Sequence, residues 1–103
     1  MTEASSFAGR VMLVTGAAQG IGEATARLFA ERGAAGLALV DRNADALAEV
    51  AASLTTGGCP AIAIPADLGE VAACFAAVDT AATRFGALHG LVNAAGLTNR
   101  GTI

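Results

Sequence analysis

A glycine-rich segment between a predicted strand and a predicted helix constrains the fold of this chain most. Residues 15–22 read Thr-Gly-Ala-Ala-Gln-Gly-Ile-Gly. The four residues before them, 11–14, are all apolar and do not alternate with polar ones, as expected of a parallel strand buried on both faces. An amphipathic helical pattern follows. We therefore predict a tight strand-to-helix turn with glycines where the backbone turns sharply or approaches its neighbours closely.

A turn of this kind can bind a phosphate group. The helix that begins there offers unpaired N–H groups and the positive end of its dipole. The alternative is a merely tight βα turn, because three glycines alone are a weak signal. The strand–turn–helix context favours the phosphate interpretation.

The remainder of the chain repeats the same alternation of elements. Apolar runs at 37–40, 61–64 and 91–92 predict three further strands, and helical spacing predicts helices over about 44–54 and before Gly86. The order β-α-β-α-β-α-β predicts an α/β fold: a Rossmann-type, doubly wound parallel sheet with strand order 3-2-1-4. The predicted crevice lies at the C-terminal end of the first strand, next to the glycine turn.

Helical spacing also predicts which faces of the first and third helices point inward. The predicted inward residues of the first helix are Ile21, Ala24, Thr25 and Leu28. Those of the third helix are Val71, Phe75, Val78, Ala82 and Phe85.

Polar side chains follow three of the predicted strands. Asp41 ends the second strand, and its carboxylate could accept hydrogen bonds from both ribose hydroxyls of an adenosine while repelling a 2′-phosphate. This favours NAD over NADP, the alternative for Asp41 being a solvated strand end or helix cap. Asp67, after the third strand, could accept from the adenine amine with the Leu68 N–H donating beside it, or could cap the next helix. Asn93 ends the fourth strand and could bind backbone groups or the cofactor ribose.

Composition argues against several other classes of function. The net charge of −3 gives no electrostatic case for nucleic acid or an anionic membrane surface. No apolar run approaches the ~20 residues of a membrane span, and no secretory signal is visible. Cys59 and Cys74 are interpreted as reduced thiols of a cytoplasmic protein, not as metal ligands. His89 is interpreted as a strand-edge residue, not a catalytic base.

Four motifs in this order resemble the short-chain dehydrogenase/reductase family of single-domain type. They are the glycine turn at 15–22, Val-Asp-Arg at 40–42, Ala-Asp-Leu at 66–68 and Leu-Val-Asn-Ala-Ala-Gly at 91–96. The resemblance implies an NAD-dependent oxidoreductase acting on an alcohol or ketone. It also implies a cofactor site formed by Gly16, Gln19, Gly20, Ile21, Gly22, Asp41, Asp67, Leu68 and Asn93.

The family's catalytic tyrosine and lysine have no counterpart here, because the chain contains neither residue type. No catalytic residue is therefore assigned, and residues 1–103 are expected to be the NAD(P)-binding portion, a fragment that stops before the catalytic half. The alternatives are a non-catalytic nucleotide-binding module and a different dinucleotide or methyl-donor enzyme. The fourth strand, left at a sheet edge, predicts a marginally stable chain that tends to self-associate.

Overall fold

A computed structural model of the chain describes residues 7–67 and 71–94. Four strands alternate with three helices. The elements are β1 (Val11–Thr15), α1 (Gly20–Glu31), β2 (Gly36–Asp41), α2 (Ala44–Thr56), β3 (Ala61–Pro65), α3 (Val71–Phe85) and β4 (Gly90–Asn93).

The strands form one parallel sheet in the order β3-β2-β1-β4, which confirms the predicted fold class and strand order. β1 lies opposite β2 with Thr15 beside Val40, and opposite β4 with Thr15 beside Asn93. Because all four strands run the same way, their carboxyl ends meet at one edge of the sheet. The chain changes direction across the sheet between β3 and β4, so this edge contains the crevice.

Apolar clusters cover both faces of the two central strands, as their unbroken apolar runs predict. On one face, Leu37 and Leu39 lie among residues of α1 and α2. On the other, Leu13 and Val40 pack against α3. The side chains of Leu13, Leu37, Leu39 and Val40 are each no more than 1% exposed.

The predicted inward face of α1 is wrong by about a quarter of a turn. Its buried residues are Gly22, Ala26 and Phe29, whereas Ile21 is 51% and Leu28 43% exposed. The prediction followed the large apolar residues. The glycine turn instead brings Gly22 against its own backbone, and each residue of a helix is rotated by about 100° from the next. Ile21 and Leu28, one position earlier than Gly22 and Phe29, consequently point sideways.

α2 follows its prediction closely. Its inward residues Leu47, Val50, Ala51 and Leu54 are all buried. Asn43 caps the helix, since its Oδ1 accepts a hydrogen bond from the Ala46 N–H at 3.1 Å.

The inward face of α3 contains smaller residues than predicted. Ala77 and Ala81 are its buried positions, and Phe75 is 70% exposed. Since Phe75 precedes Ala77 by two residues, it lies about 200° around the helix and faces away from the sheet. Phe85 does pack inward, over Gly36, where an added Cβ would lie 2.6 Å from the phenyl ring. The predicted inward side chain of Val71 lies outside the described part of the structure.

In the described ranges, no helix combines the length and apolarity needed to cross a bilayer.

The Cys59 thiol lies in the cluster beneath α1 and α2, 5% exposed, with Sγ 3.4 Å from the Ala34 carbonyl oxygen. Burial raises the pKa of this thiol, because the thiolate is poorly solvated there. The folded state therefore holds the thiol proton to higher pH than the unfolded chain does. The resulting stability is complete below the ordinary thiol pKa and is lost as the pH rises through the raised pKa of the folded state.

We expect Cys59 of the folded protein to react with a thiol reagent at least about tenfold more slowly than the half-buried Cys74. Labelling at about pH 8 followed by peptide mass analysis measures both rates, and denaturant serves as the control by equalising them. Equal rates in the folded protein would contradict the buried position of Cys59.

Candidate functional site

The glycine turn joins the carboxyl end of β1 to the first residue of α1. Gly16 and Gly20 have φ angles of 67° and 61°. These values lie in the left-handed region, which residues with a Cβ seldom adopt. The two glycines therefore allow the chain to leave the sheet and enter the helix within a few residues.

Gly22 is required for a different reason. A Cβ placed on it would overlap the carbonyl oxygen of Gly16 and lie 2.5 Å from the carbonyl carbon. The obstacle is backbone and has no rotamer by which to move aside. The first turn of α1 consequently packs directly on the start of the glycine turn, and this fixes the direction of the helix axis.

The amino terminus of α1 has no side-chain cap. Gln19, its N-cap residue, is fully extended with φ −165° and ψ 170°, and its side chain makes no capping hydrogen bond. In α2 the equivalent position is capped by Asn43. The positive end of the α1 dipole and the N–H groups of its first turn thus face the sheet edge without a side-chain acceptor from Gln19, an arrangement suited to an anion.

Asp41, the last residue of β2, contacts the glycine turn. Its Oδ2 accepts a hydrogen bond from the Ala18 N–H at 3.0 Å, and its Oδ1 accepts one from the Asn43 N–H at 3.0 Å. The neighbouring Ala17 N–H donates to the Val40 carbonyl at 3.2 Å. An ionised carboxylate has about four acceptor sites, so a site on each oxygen is left for a hydroxyl pair.

The chain that leaves β3 lies next to Asp41. The Ala66 N–H donates to the Asp41 carbonyl oxygen at 3.0 Å. Asp67 follows directly and is exposed. This brings a second carboxylate to the same edge of the sheet. Leu68, predicted to work with Asp67, lies outside the described residues.

Asn93 ends β4 and contacts the end of β1. The Thr15 hydroxyl lies 2.7 Å from Asn93 Oδ1 and donates to it. Thr15 is 3% exposed and belongs to a strand in which all five residues are buried. The contact orients the Asn93 amide and does not use its two N–H donors.

The structure therefore brings Asp41, Asp67, Asn93 and the glycine turn to one edge of the sheet. Sequence reasoning missed the parts played by Thr15 and Ala18. Thr15 had a signal, a polar residue ending an otherwise apolar buried strand. Ala18 had none, because it contributes a backbone N–H that any residue except proline would supply.

His89 lies at the opposite edge, before the start of β4. Its Nδ1 accepts a hydrogen bond from the Val11 backbone N–H at 2.9 Å, and the His89 backbone N–H donates to the Val11 carbonyl oxygen at 2.8 Å. The imidazole extends the β1–β4 pairing, which agrees with its interpretation as a strand-edge residue. Across residues 7–67 and 71–94, no three His, Cys, Asp or Glu side chains are grouped to hold a metal ion.

Comparison with known proteins identifies the family to which this chain belongs. A family model described as short chain dehydrogenase matches residues 10–103. The chain is 45% identical over 92 residues to cis-4-hydroxycyclohexanecarboxylate dehydrogenase of Sinomonas cyclohexanicum, an alignment covering 89% of this chain and 36% of that enzyme.

Solved structures of short-chain dehydrogenases and reductases share the fold of this chain. A short-chain dehydrogenase/reductase from Burkholderia phymatum in complex with NAD superposes with a TM-score of 0.79 at 35% identity, over 88% of this chain and 31% of that one. L-sorbose reductase from Gluconobacter frateurii, complexed with NADPH and L-sorbose, gives 0.79 at 32% identity, over 85% and 34%. The chain spans about a third of the length of these relatives. With its parallel sheet, glycine turn and strand-end carboxylates, the chain belongs to the short-chain dehydrogenase family.

Proposed function

We propose that this chain binds the dinucleotide NAD at the carboxyl edge of its sheet. The observation that carries the proposal is the α1 amino terminus, uncapped by Gln19, beside the oriented carboxylate of Asp41. One feature suits a pyrophosphate and the other a ribose diol. The NAD complex of the Burkholderia relative supports the same choice of ligand.

The roles within the site follow from these chemical features. Backbone N–H groups of Gln19, Gly20 and Ile21 would bind the pyrophosphate, with Gly16 and Gly22 giving the turn its shape. For the rest of the cofactor, we propose that Asp41 contacts the adenosine ribose and that Asp67 and Leu68 contact the adenine. Asn93 would lie beside the cofactor at the end of β4.

NAD is preferred over NADP in this proposal because of charge. Asp41 would lie beside the 2′ position of the adenosine ribose, where a phosphate would meet a carboxylate. The sorbose reductase relative is complexed with NADPH, so the family resemblance alone does not select the cofactor. The preference rests on Asp41.

We also propose that residues 1–103 form the cofactor-binding portion of a cytoplasmic oxidoreductase acting on an alcohol or ketone. NAD would accept or donate the hydride of such a reaction. The alternative is a nucleotide-binding module without catalysis. A coding sequence that continues beyond residue 103 into a Ser and then a Tyr followed four residues later by Lys would favour the enzyme, and a stop codon would favour the module.

Calorimetric titration of the wild type, Asp41→Ala and Asp45→Ala with NAD and NADP tests the binding proposal. We expect the wild type to prefer NAD, and Asp41→Ala to lose about a hundredfold in NAD affinity as two hydrogen bonds to a charged group disappear. The control Asp45→Ala removes the same charge from an exposed residue in the first turn of α2 and leaves the glycine turn unchanged. Tighter binding of NADP than NAD by the wild type would refute the cofactor assignment.

We further propose that the chain self-associates through β4. Within the described residues β4 is an edge strand, and its Leu91 is 53% exposed. Unpaired strand N–H and C=O groups beside an apolar side chain favour pairing with another copy. We expect the sedimentation coefficient to rise with protein concentration. A monomer whose thermal unfolding is cooperative and independent of concentration would contradict this.

A further inference from the structure

Both oxygens of the Asp41 carboxylate accept backbone hydrogen bonds before any cofactor is bound. Oδ2 accepts from the Ala18 N–H and Oδ1 from the Asn43 N–H, each at 3.0 Å. Two donors on different oxygens fix the plane of the carboxylate as well as its position. The orientation of this group is therefore a property of the protein alone.

The hydrogen bond between Ala18 and Asp41 also holds the glycine turn in place. Two consecutive residues of the turn are held by the end of β2, Ala17 by the Val40 carbonyl and Ala18 by the Asp41 side chain. The first contact is backbone to backbone and survives any substitution at 41. The second exists only if residue 41 presents an acceptor, so the identity of that residue influences the path of the turn.

The position of Ala18 makes this influence matter for phosphate binding. Ala18 is 6% exposed and directly precedes Gln19, the N-cap of α1. Without an acceptor for the Ala18 N–H, the next two peptide groups lose the nearest contact that holds them to the end of β2. Those groups begin the set of N–H donors proposed above for the pyrophosphate.

We propose that Asp41 is a positioning residue for the phosphate-binding turn, acting through the Ala18 N–H, in addition to its proposed contact with ribose. This inference rests on the proposed function. It makes one carboxylate responsible for two subsites of the same ligand. Loss of that carboxylate then weakens the binding of a nucleotide diphosphate even when the ribose has no hydroxyls to bind.

Two nucleotides separate the two roles of Asp41. ADP and 2′,3′-dideoxyadenosine 5′-diphosphate share the adenine and the diphosphate, but only ADP has ribose hydroxyls. With Asp41→Ala we expect affinity to fall about a hundredfold for ADP and about tenfold for the dideoxy analogue. Asp45→Ala should bind both as the wild type does. Wild-type affinity of Asp41→Ala for the dideoxy analogue would overturn the positioning role, while a loss confined to ADP would still support ribose binding.

Hydrogen exchange in the nucleotide-free protein tests the Ala18 contact independently of cofactor binding. We expect the Ala18 amide to exchange at least about tenfold faster in Asp41→Ala than in the wild type. The Ala17 amide is the internal control, since its backbone acceptor is unchanged. Unaltered Ala18 protection in Asp41→Ala would overturn the inference, even if the wild type bound no nucleotide at all.

Asp41→Asn provides a second variant that preserves the size of the side chain. Asparagine has one oxygen where aspartate has two, so it cannot accept from both Ala18 and Asn43 in the wild-type geometry. We expect one of these two amides to lose protection. If Ala18 stays protected in this variant, affinity for the dideoxy analogue should return towards the wild-type value. Wild-type protection at both amides would contradict the inference.

Discussion

Gly22→Ala is expected to lower the free energy of unfolding by at least about 3 kcal/mol, a large fraction of the stability of a small domain. The added methyl group would overlap the Gly16 carbonyl oxygen and lie 3.1 Å from the Ala17 Cα. All of the clashing atoms are backbone, so α1 must move off the glycine turn. Urea unfolding followed by circular dichroism measures the loss.

Gly57→Ala is the matched control for this substitution. Gly57 follows α2 with φ −77°, a value that alanine adopts freely, and an added Cβ would be 3.5 Å from the Ser53 carbonyl oxygen. We expect a change within about 0.5 kcal/mol. Similar unfolding curves for the two variants would show that α1 does not pack on the turn as described.

Phe29→Ala is expected to cost about 3 to 5 kcal/mol, whereas Leu28→Ala costs less than about 1 kcal/mol. Phe29 is 7% exposed in the cluster beneath α1, and its ring meets that of Phe7 edge-on with centroids 4.6 Å apart. Leu28, the adjacent residue, is 43% exposed. The difference therefore measures the orientation of α1 about its axis.

The pair is a controlled comparison because both substitutions create alanine in the same helix turn. Helix propensity changes little between them, so the difference in the free energy of unfolding reports burial. A larger cost at Leu28 than at Phe29 would restore the face predicted from sequence and refute the observed one.

The strands and their order were predictable because their sequence signal is direct. Runs such as 37–40 are short, apolar without alternation and followed by polar turn residues, a combination that favours a doubly covered parallel strand. Given those strands and the helices between them, right-handed crossovers leave the order 3-2-1-4 as the simplest solution. Asn43 and Gly33 also lie at helix ends, where these residue types are favoured.

The helix faces were less predictable because closeness of packing outweighed side-chain size. Gly22 and Ala77 are buried where Ile21 and Phe75 are exposed. Spacing arguments weight large apolar residues, yet a helix that approaches a sheet closely must present small ones. The sequence contains both candidate stripes and does not rank them.

The candidate site was predictable at the level of residues and not of contacts. Asp41 and Asn93 are visible as polar residues that end apolar strands. The hydrogen bond from Ala18 to Asp41 joins residues that are 23 positions apart in the chain, and the one from Thr15 to Asn93 joins residues that are 78 positions apart. Such contacts depend on strand register and turn conformation, which exist only in the folded chain.

Mapping the backbone amide resonances of the isotope-labelled chain during titration with NAD tests the proposed site most directly. We expect the largest shifts at Gly20, Ile21 and Asp41, at the carboxyl edge of the sheet, and little change at Val11 and His89 on the opposite edge. Shifts confined to the edge that contains His89, or no saturable shifts at all, would contradict a dinucleotide site at the glycine turn.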